Sequence, residues 1–219
     1  MKKHIVCYGD SNTHGYCADP ADCLGGGIRF SEEQRWTCLV QEALGKEYLV
    51  TEEGLSGRTT CFDDPIHEGL SGLEHLYPIL KSHEFIDLLI IMLGTNDCKD
   101  RFYASADCIA LGLARLVNKA KATDCWGGKA PNILVIAPPP IGEGMLESPV
   151  ASTMGQLCVE KSRQLAGSYR AQCELLGVHF LDAGALGCEF NQVDFMHLTS
   201  RGHRTLADHL SKLIPQLVK

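Results

Sequence analysis

The chain lacks any long apolar run, and no stretch approaches the roughly 18 apolar residues that a bilayer-spanning helix requires. It has eleven cysteines but no CxxC pair among them. Thiols scattered singly from Cys7 to Cys188, odd in number, suit neither a zinc knuckle nor a disulfide framework. They read as reduced side chains packed like small apolar residues. There is no HExxH and no GxxxxGK[ST], which removes zinc-protease and P-loop chemistry. "LGGGI" at 24–28 follows no strand-like run and reads as a flexible loop. No Pro/Ser-rich linker and no internal repeat interrupts the sequence, so one domain over 1–219 is expected.

Positive charge is also in short supply. Lys and Arg total 20 against 27 acidic residues, a formal charge of −7 with both signs dispersed. That balance argues against a nucleic-acid or membrane-surface partner and for a small molecule. At the start, "MKKHIVCYGD" leaves five residues between the lysines and Gly9, too few for the apolar core of a signal peptide. A soluble, cytoplasmic protein is the expectation.

What is present is an alternation of short apolar runs with helical spacing. His4–Tyr8, Tyr48–Thr51, Leu88–Leu93, Ile133–Ala137 and Val178–Leu181 are strand-length runs, and "LLIIML" is apolar at every position. Continuous apolarity is what a parallel strand covered on both faces needs. Between the runs, helical stripes occur in Ser31–Leu44 (Trp36, Leu39, Val40, Leu44), then at Ile109, Leu113, Leu116 and Val117. Two more follow, at Leu165, Tyr169, Cys173 and Leu176 and at Leu206, Leu210, Leu213 and Leu217. Regular alternation predicts a three-layer α/β/α sandwich with a flavodoxin-like, five-stranded parallel sheet in the order 2-1-3-4-5. Ligands of such sheets bind at the carboxyl ends of the strands.

Four polar or glycine-bearing loops occupy those ends. "GDSNTHG" with Ser11 follows the first strand, "EEGLSGRTT" with Gly57 the second and "LGTNDCKD" with Asn96 the third. "VDFMHLTSRGH", with Asp194 and His197, precedes the last helix. Acyl transfer to serine needs a hydroxyl, an imidazole to carry its proton, a carboxylate to fix the imidazole tautomer, and donors for the oxyanion. Ser11, His197 and Asp194 supply the first three. The backbone N–H groups of Ser11 and Gly57 and the side chain of Asn96 supply the donors.

Each residue alone has a plainer reading. Ser11 and Asp10 suit a turn or helix cap, Asn96 a closing turn and Gly57 an unusual backbone angle; Thr199 or Ser200 would cap the last helix. It is their co-occurrence as a chemically complete set at four strand ends that points to function. His197 and His203 invite a metal reading, yet no clustered carboxylates accompany them; no metal or cofactor is expected. His67, His203 and His209 read as surface residues. Asp63 and Asp64, like Asp97 and Asp100 around Lys99, read as solvated turn carboxylates. A non-catalytic flavodoxin-like module, its Gly-Asp-Ser loop cradling phosphate, is the reading from another class, but it leaves Asn96, Asp194 and His197 without a role.

The blocks "YGDSNTHGY", "RWTCLVQEALG", "EEGLSGRTTCFDDP", "DLLIIMLGTNDCK", "VIAPPP" and "VDFMHLT" occur in order across nearly the whole chain. Together they resemble the SGNH hydrolase superfamily of GDSL-type esterases, in particular its bacterial arylesterase and acyltransferase branch. The resemblance implies a Ser11–His197–Asp194 triad, an oxyanion hole from Ser11, Gly57 and Asn96, and hydrolysis of short-chain carboxylic esters, aryl esters included. It also implies acyl transfer to an alcohol or peroxide in some members, and assembly as a homo-oligomer, a dimer or larger. A carbohydrate O-acetylesterase is the alternative on the same triad. By position, Asn12, Thr95 and Met196 would line the acyl pocket. Asn12 stands where the family commonly has leucine and His14 where an aromatic is expected, which would make the pocket rim more polar. The segment from 140 to about 153 would form a lid or subunit contact.

Overall fold

A computed structural model describes residues 1–218, and its centre is a sheet whose middle strands are buried on both faces. The strands are β1 (Lys3–Gly9), β2 (Tyr48–Gly54), β3 (Leu88–Met92), β4 (Ile133–Ala137) and β5 (His179–Asp182). All pair in parallel, in the order β2-β1-β3-β4-β5. β3 and β4 are buried at every position, which is why both read as unbroken apolar runs. The edge strands are half-buried. β2 therefore tolerates Glu52 and Glu53 beyond its apolar part, where Arg35 Nε bonds Glu52 at 3.0 Å and His83 bonds Glu53 at 2.6 Å.

Period-two alternation divides the sheet between two cores. Val6, Tyr8, Leu89, Ile91, Ile133 and Val135 face a layer of three helices, α3 (Gly72–Ser82), α4 (Ala106–Ala122) and α6 (Cys158–Leu176). Ile5, Cys7, Leu88, Ile90, Leu134 and Ile136 face α2 (Trp36–Leu44) and α7 (Ser200–Leu217). Two short helices, α1 (Ser11–His14) and α5 (Ala151–Met154), lie at the carboxyl edge. Among the described residues no helix is long and apolar enough to cross a membrane.

Two local expectations are corrected. The helix expected from Ser31 begins only at Trp36, because Ser31 O closes a turn with the N–H groups of Gln34 and Arg35. Arg35 enters in extended conformation and aims its guanidinium at Phe30 O and Glu52. His203, expected at the surface, is fully buried on α7. Its Nδ1 accepts the Trp36 backbone N–H at 3.3 Å, and its ring stands edge-on to Phe30 at 5.0 Å. Burial, with nearby His197 and Arg35 adding to it, pushes His203 down to about 3, so the ring is neutral. His67 and His209 are exposed as expected.

Ile90 is fully buried in the centre strand and faces the α2/α7 core. Replacing it with alanine should cost about 2–5 kcal/mol of unfolding free energy, measured as a lower urea midpoint at unchanged slope.

Candidate active site

The parallel sheet delivers the loops after β1, β2 and β3 to one edge, where the first contributes the nucleophile candidate. Asp10 caps α1 by accepting the Asn12 N–H at 3.0 Å. This fixes Ser11 in the first turn of the helix. β2 packs against that turn so closely that a Cβ on Gly54 would lie 2.2 Å from His14 N. Only glycine permits the approach.

Ser11 Oγ lies 2.7 Å from His197 Nε2, and His197 Nδ1 lies 2.6 Å from Asp194 Oδ2. Burial opposes a charge on Asp194. Hydrogen bonding and attraction from His197, a bond from Asn191 and the Met196 N–H outweigh it, and the carboxyl falls to about 2. Ionised Asp194 accepts a hydrogen bond from the Nδ1–H of His197, which leaves the Nε2 lone pair toward Ser11.

The turn that makes this possible is held by Asn191, a residue the sequence reading missed. Its Oδ1 accepts from Val193 N at 2.8 Å and Asp194 N at 2.9 Å, while its Nδ2 donates to Asp194 Oδ1 and His197 O, each at 2.8 Å. Asn191 and Asp194, three apart in "NQVD", are an Asx-turn signal that was legible. Phe195 completes the turn with φ of 59°. Its carbonyl accepts from Gly142 N at 2.9 Å, and its ring lies over Gly144 so closely that a Cβ there would clash at 2.5 Å.

The three expected oxyanion donors lie together around Ser11. Gly57 has φ of +88°, a conformation that favours glycine. The N–H groups of Ser11 and Gly57 donate to no acceptor among the described residues. Asn96 Nδ2 is anchored on Arg58 O at 3.2 Å and reaches Asp10 Oδ2 only at 3.5 Å. The second N–H is thus weakly held and free to turn to a stronger acceptor. Among the described residues no cluster of three His, Cys, Asp or Glu side chains is arranged to hold a metal ion.

A cleft of about 210 Å³ opens over Ser11. Tyr16, Ser56, Gly57, Asn96, Lys99, Val150, Thr153, Met154, Met196 and His197 line it. The segment expected as a lid carries α5 and gives the cleft Val150, Thr153 and Met154. Tyr16, not anticipated, packs tilted against the His197 ring with centroids 4.7 Å apart.

Of the three expected pocket residues, Met196 lines the cleft and the other two do not. Asn12 is buried with its amide committed: Nδ2 donates to Met196 O at 3.2 Å and Oδ1 accepts from Leu198 N at 3.0 Å. Thr95 is buried behind Asn96 at the start of its turn and lies off the cleft surface. His14 is also off the cleft, beside Arg29, Arg35 and Glu52. The expected polar rim from Asn12 and His14 is therefore corrected: the first residue of a helix faces the cleft, and its successors rotate away by about 100° each.

A parallel α/β/α sandwich bearing a hydroxyl, an imidazole and a carboxylate in hydrogen-bonded series at its carboxyl edge has the make-up of a serine-type hydrolase. The model of the GDSL-like lipase/acylhydrolase family matches residues 7–205, and the chain belongs to that family, the SGNH esterases. It is similar to the native aryl esterase of M. smegmatis, at 36% identity and a TM-score of 0.88 over 98% of this chain and 99% of that one. A carbohydrate acetylesterase from Sinorhizobium meliloti is similar at 35% identity and a TM-score of 0.87, over 99% of this chain and 100% of that one. A carbohydrate acetylesterase family member from the same organism gives 33% identity and a TM-score of 0.87, over 99% of each chain. No curated protein sequence matches the chain. With this family and these neighbours, the protein is an ester hydrolase.

Two predictions follow from the loops. Asn191→Ala frees the turn that carries Asp194 and His197, and ester kcat/KM should fall by about 10- to 100-fold while far-UV circular dichroism is unchanged. The second concerns Asp97, which accepts the Thr60 N–H at 2.9 Å beneath the site and is raised by burial from 3.8 to about 6. Folded protein therefore binds more protons than unfolded between those values, and this group's contribution to stability is lost as pH rises from 4 to 7. In urea titrations, Asp97→Asn should lose less stability than the parent over that interval.

Proposed function

We propose that the protein is a serine esterase that cleaves short-chain carboxylic esters, aryl acetates among them, through an acyl-enzyme on Ser11. The observation that carries this reading is the unbroken series from Ser11 Oγ through His197 to Asp194, at 2.7 Å and 2.6 Å. The small cleft, with Val150, Met154 and Met196 as its apolar wall, suits a short acyl group. A carbohydrate acetylesterase, as one S. meliloti neighbour is, releases such a group.

In this mechanism His197 Nε2 takes the Ser11 proton as Oγ forms a bond to the ester carbonyl carbon. The carbonyl oxygen gains the electron pair and is held by Ser11 N–H, Gly57 N–H and Asn96 Nδ2. Collapse restores the carbonyl and breaks the bond to the alcohol oxygen, which leaves with the proton from His197. Water, activated by the same imidazole, then attacks the acyl-enzyme and frees the acid and Ser11. Asp194 stays ionised throughout and stabilises the imidazolium. An alcohol or peroxide in place of water would give acyl transfer by the same steps.

Acetylated sugars are the second substrate class, favoured by the S. meliloti neighbours. The same reading carries assembly as a homo-oligomer, a cytoplasmic location and a single unit over 1–219. Ser11→Ala should abolish p-nitrophenyl acetate hydrolysis and fluorophosphonate labelling while the protein stays folded; retained turnover would overturn the assignment. Comparing acetylated xylooligosaccharides with aryl acetates at equal enzyme concentration separates the substrate classes.

A further inference from the structure

Among the described residues, the cleft contains one cation, Lys99, that no side chain or carbonyl hydrogen-bonds or pairs with. Lys99 follows the turn carrying Asn96, is only 7% exposed, and lines the same cleft as Ser11, Gly57 and Asn96. Among the described residues its ammonium has no carboxylate within 4.0 Å and no hydrogen-bond acceptor.

Arg35, Arg58, Arg101 and Lys161 each have a hydrogen-bonded partner, although among the described residues Arg58 Nε and Arg101 Nε are left without one. Arg35 forks onto Glu52, Arg58 Nη1 donates to Gly9 O, Arg101 Nη2 to Asp64 and Lys161 Nζ to Asp100. The acids around Lys99 are spent as well. Asp64 bonds Arg101 at 2.5 Å and Ile66 N at 2.9 Å, Asp97 bonds Thr60, and Asp10 caps α1. Burial, followed by the like charge of Arg101, outweighs the attraction of these acids and holds the Lys99 ammonium below its ordinary pKa. None of the acids hydrogen-bonds it.

An ammonium that reaches the cleft from a mostly buried side chain, with no protein partner, has lost part of its hydration, and that cost falls when a ligand brings the opposite charge. We propose that Lys99 is a specificity residue that receives a carboxylate carried by the ester substrate, a few bonds from the scissile carbonyl. Half-esters of short dicarboxylic acids carry that group on the acyl side; esters of hydroxy acids carry it on the alcohol side. The apolar wall of Val150, Met154 and Met196 accommodates the carbon chain between the two ends. A single ammonium fits this task, since it presents a compact point charge without the geometric demands of a guanidinium.

The proposal rests on the serine esterase reading, and the test keeps the two apart. The kcat/KM of monomethyl succinate is compared with that of methyl butyrate for the acyl side, and 4-acetoxybenzoate with 4-methylphenyl acetate for the alcohol side. In the parent enzyme the anionic ester should be preferred in at least one pair. Lys99→Met should lower that anionic-to-neutral ratio tenfold or more, and Lys99→Arg should keep most of it. A purely structural Lys99 would lower both members of a pair alike, and that outcome overturns the proposal. So does a parent ratio at or below one in both pairs, a result that needs no variant to fold. Turnover by Ser11→Ala would overturn the underlying reading instead.

Discussion

The hydrogen bond between Asp194 and His197, at 2.6 Å, is the interaction on which the proposed chemistry of this protein turns. A neutral imidazole can present either nitrogen to Ser11, and only one is useful. The ionised carboxylate selects it. Keeping a buried carboxylate ionised requires donors, and Asn191, Met196 N and His197 N provide them in one turn. The turn in turn requires Phe195 at positive φ and the close glycines of the 142–144 segment. A constraint on a single proton thus propagates into the backbone of two loops.

The sheet answers the remaining requirement, which is convergence. Residues 11, 57, 96 and 197 are far apart in sequence, yet parallel strands end at one edge and bring their loops together. Neighbours at 33–36% identity share the fold over nearly the whole chain.

The fold was legible in the sequence because three of the five strands are covered on both faces and leave unbroken apolar runs. The gathering of Ser11, Gly57, Asn96, Asp194 and His197 at one edge was legible because their proposed roles complement one another and each follows a strand or precedes a helix. Positions whose meaning depends on direction were misread. Asn12 neighbours the nucleophile in sequence but turns away from the cleft in space. His203 sits on the stripe of Leu206, Leu210 and Ile214, so its burial was written in the helical period, but its polar neighbours Arg201 and Arg204 masked it. Tyr16 left no signal, since its contact with His197 depends on how the 15–30 loop folds back, with Arg29 Nε on His14 O and Gln34 holding Asp22.

Asn12 illustrates how a displaced expectation gains a different meaning. Its amide joins the helix of the nucleophile to the loop of the base, through Met196 O and Leu198 N. Its carbonyl accepts the Trp36 indole N–H at 3.1 Å. Ser11 and His197, 186 residues apart, are in effect mounted on one bracket. Thermal motion of either loop then carries hydroxyl and imidazole together, so the gap across which the proton moves is set before any substrate arrives.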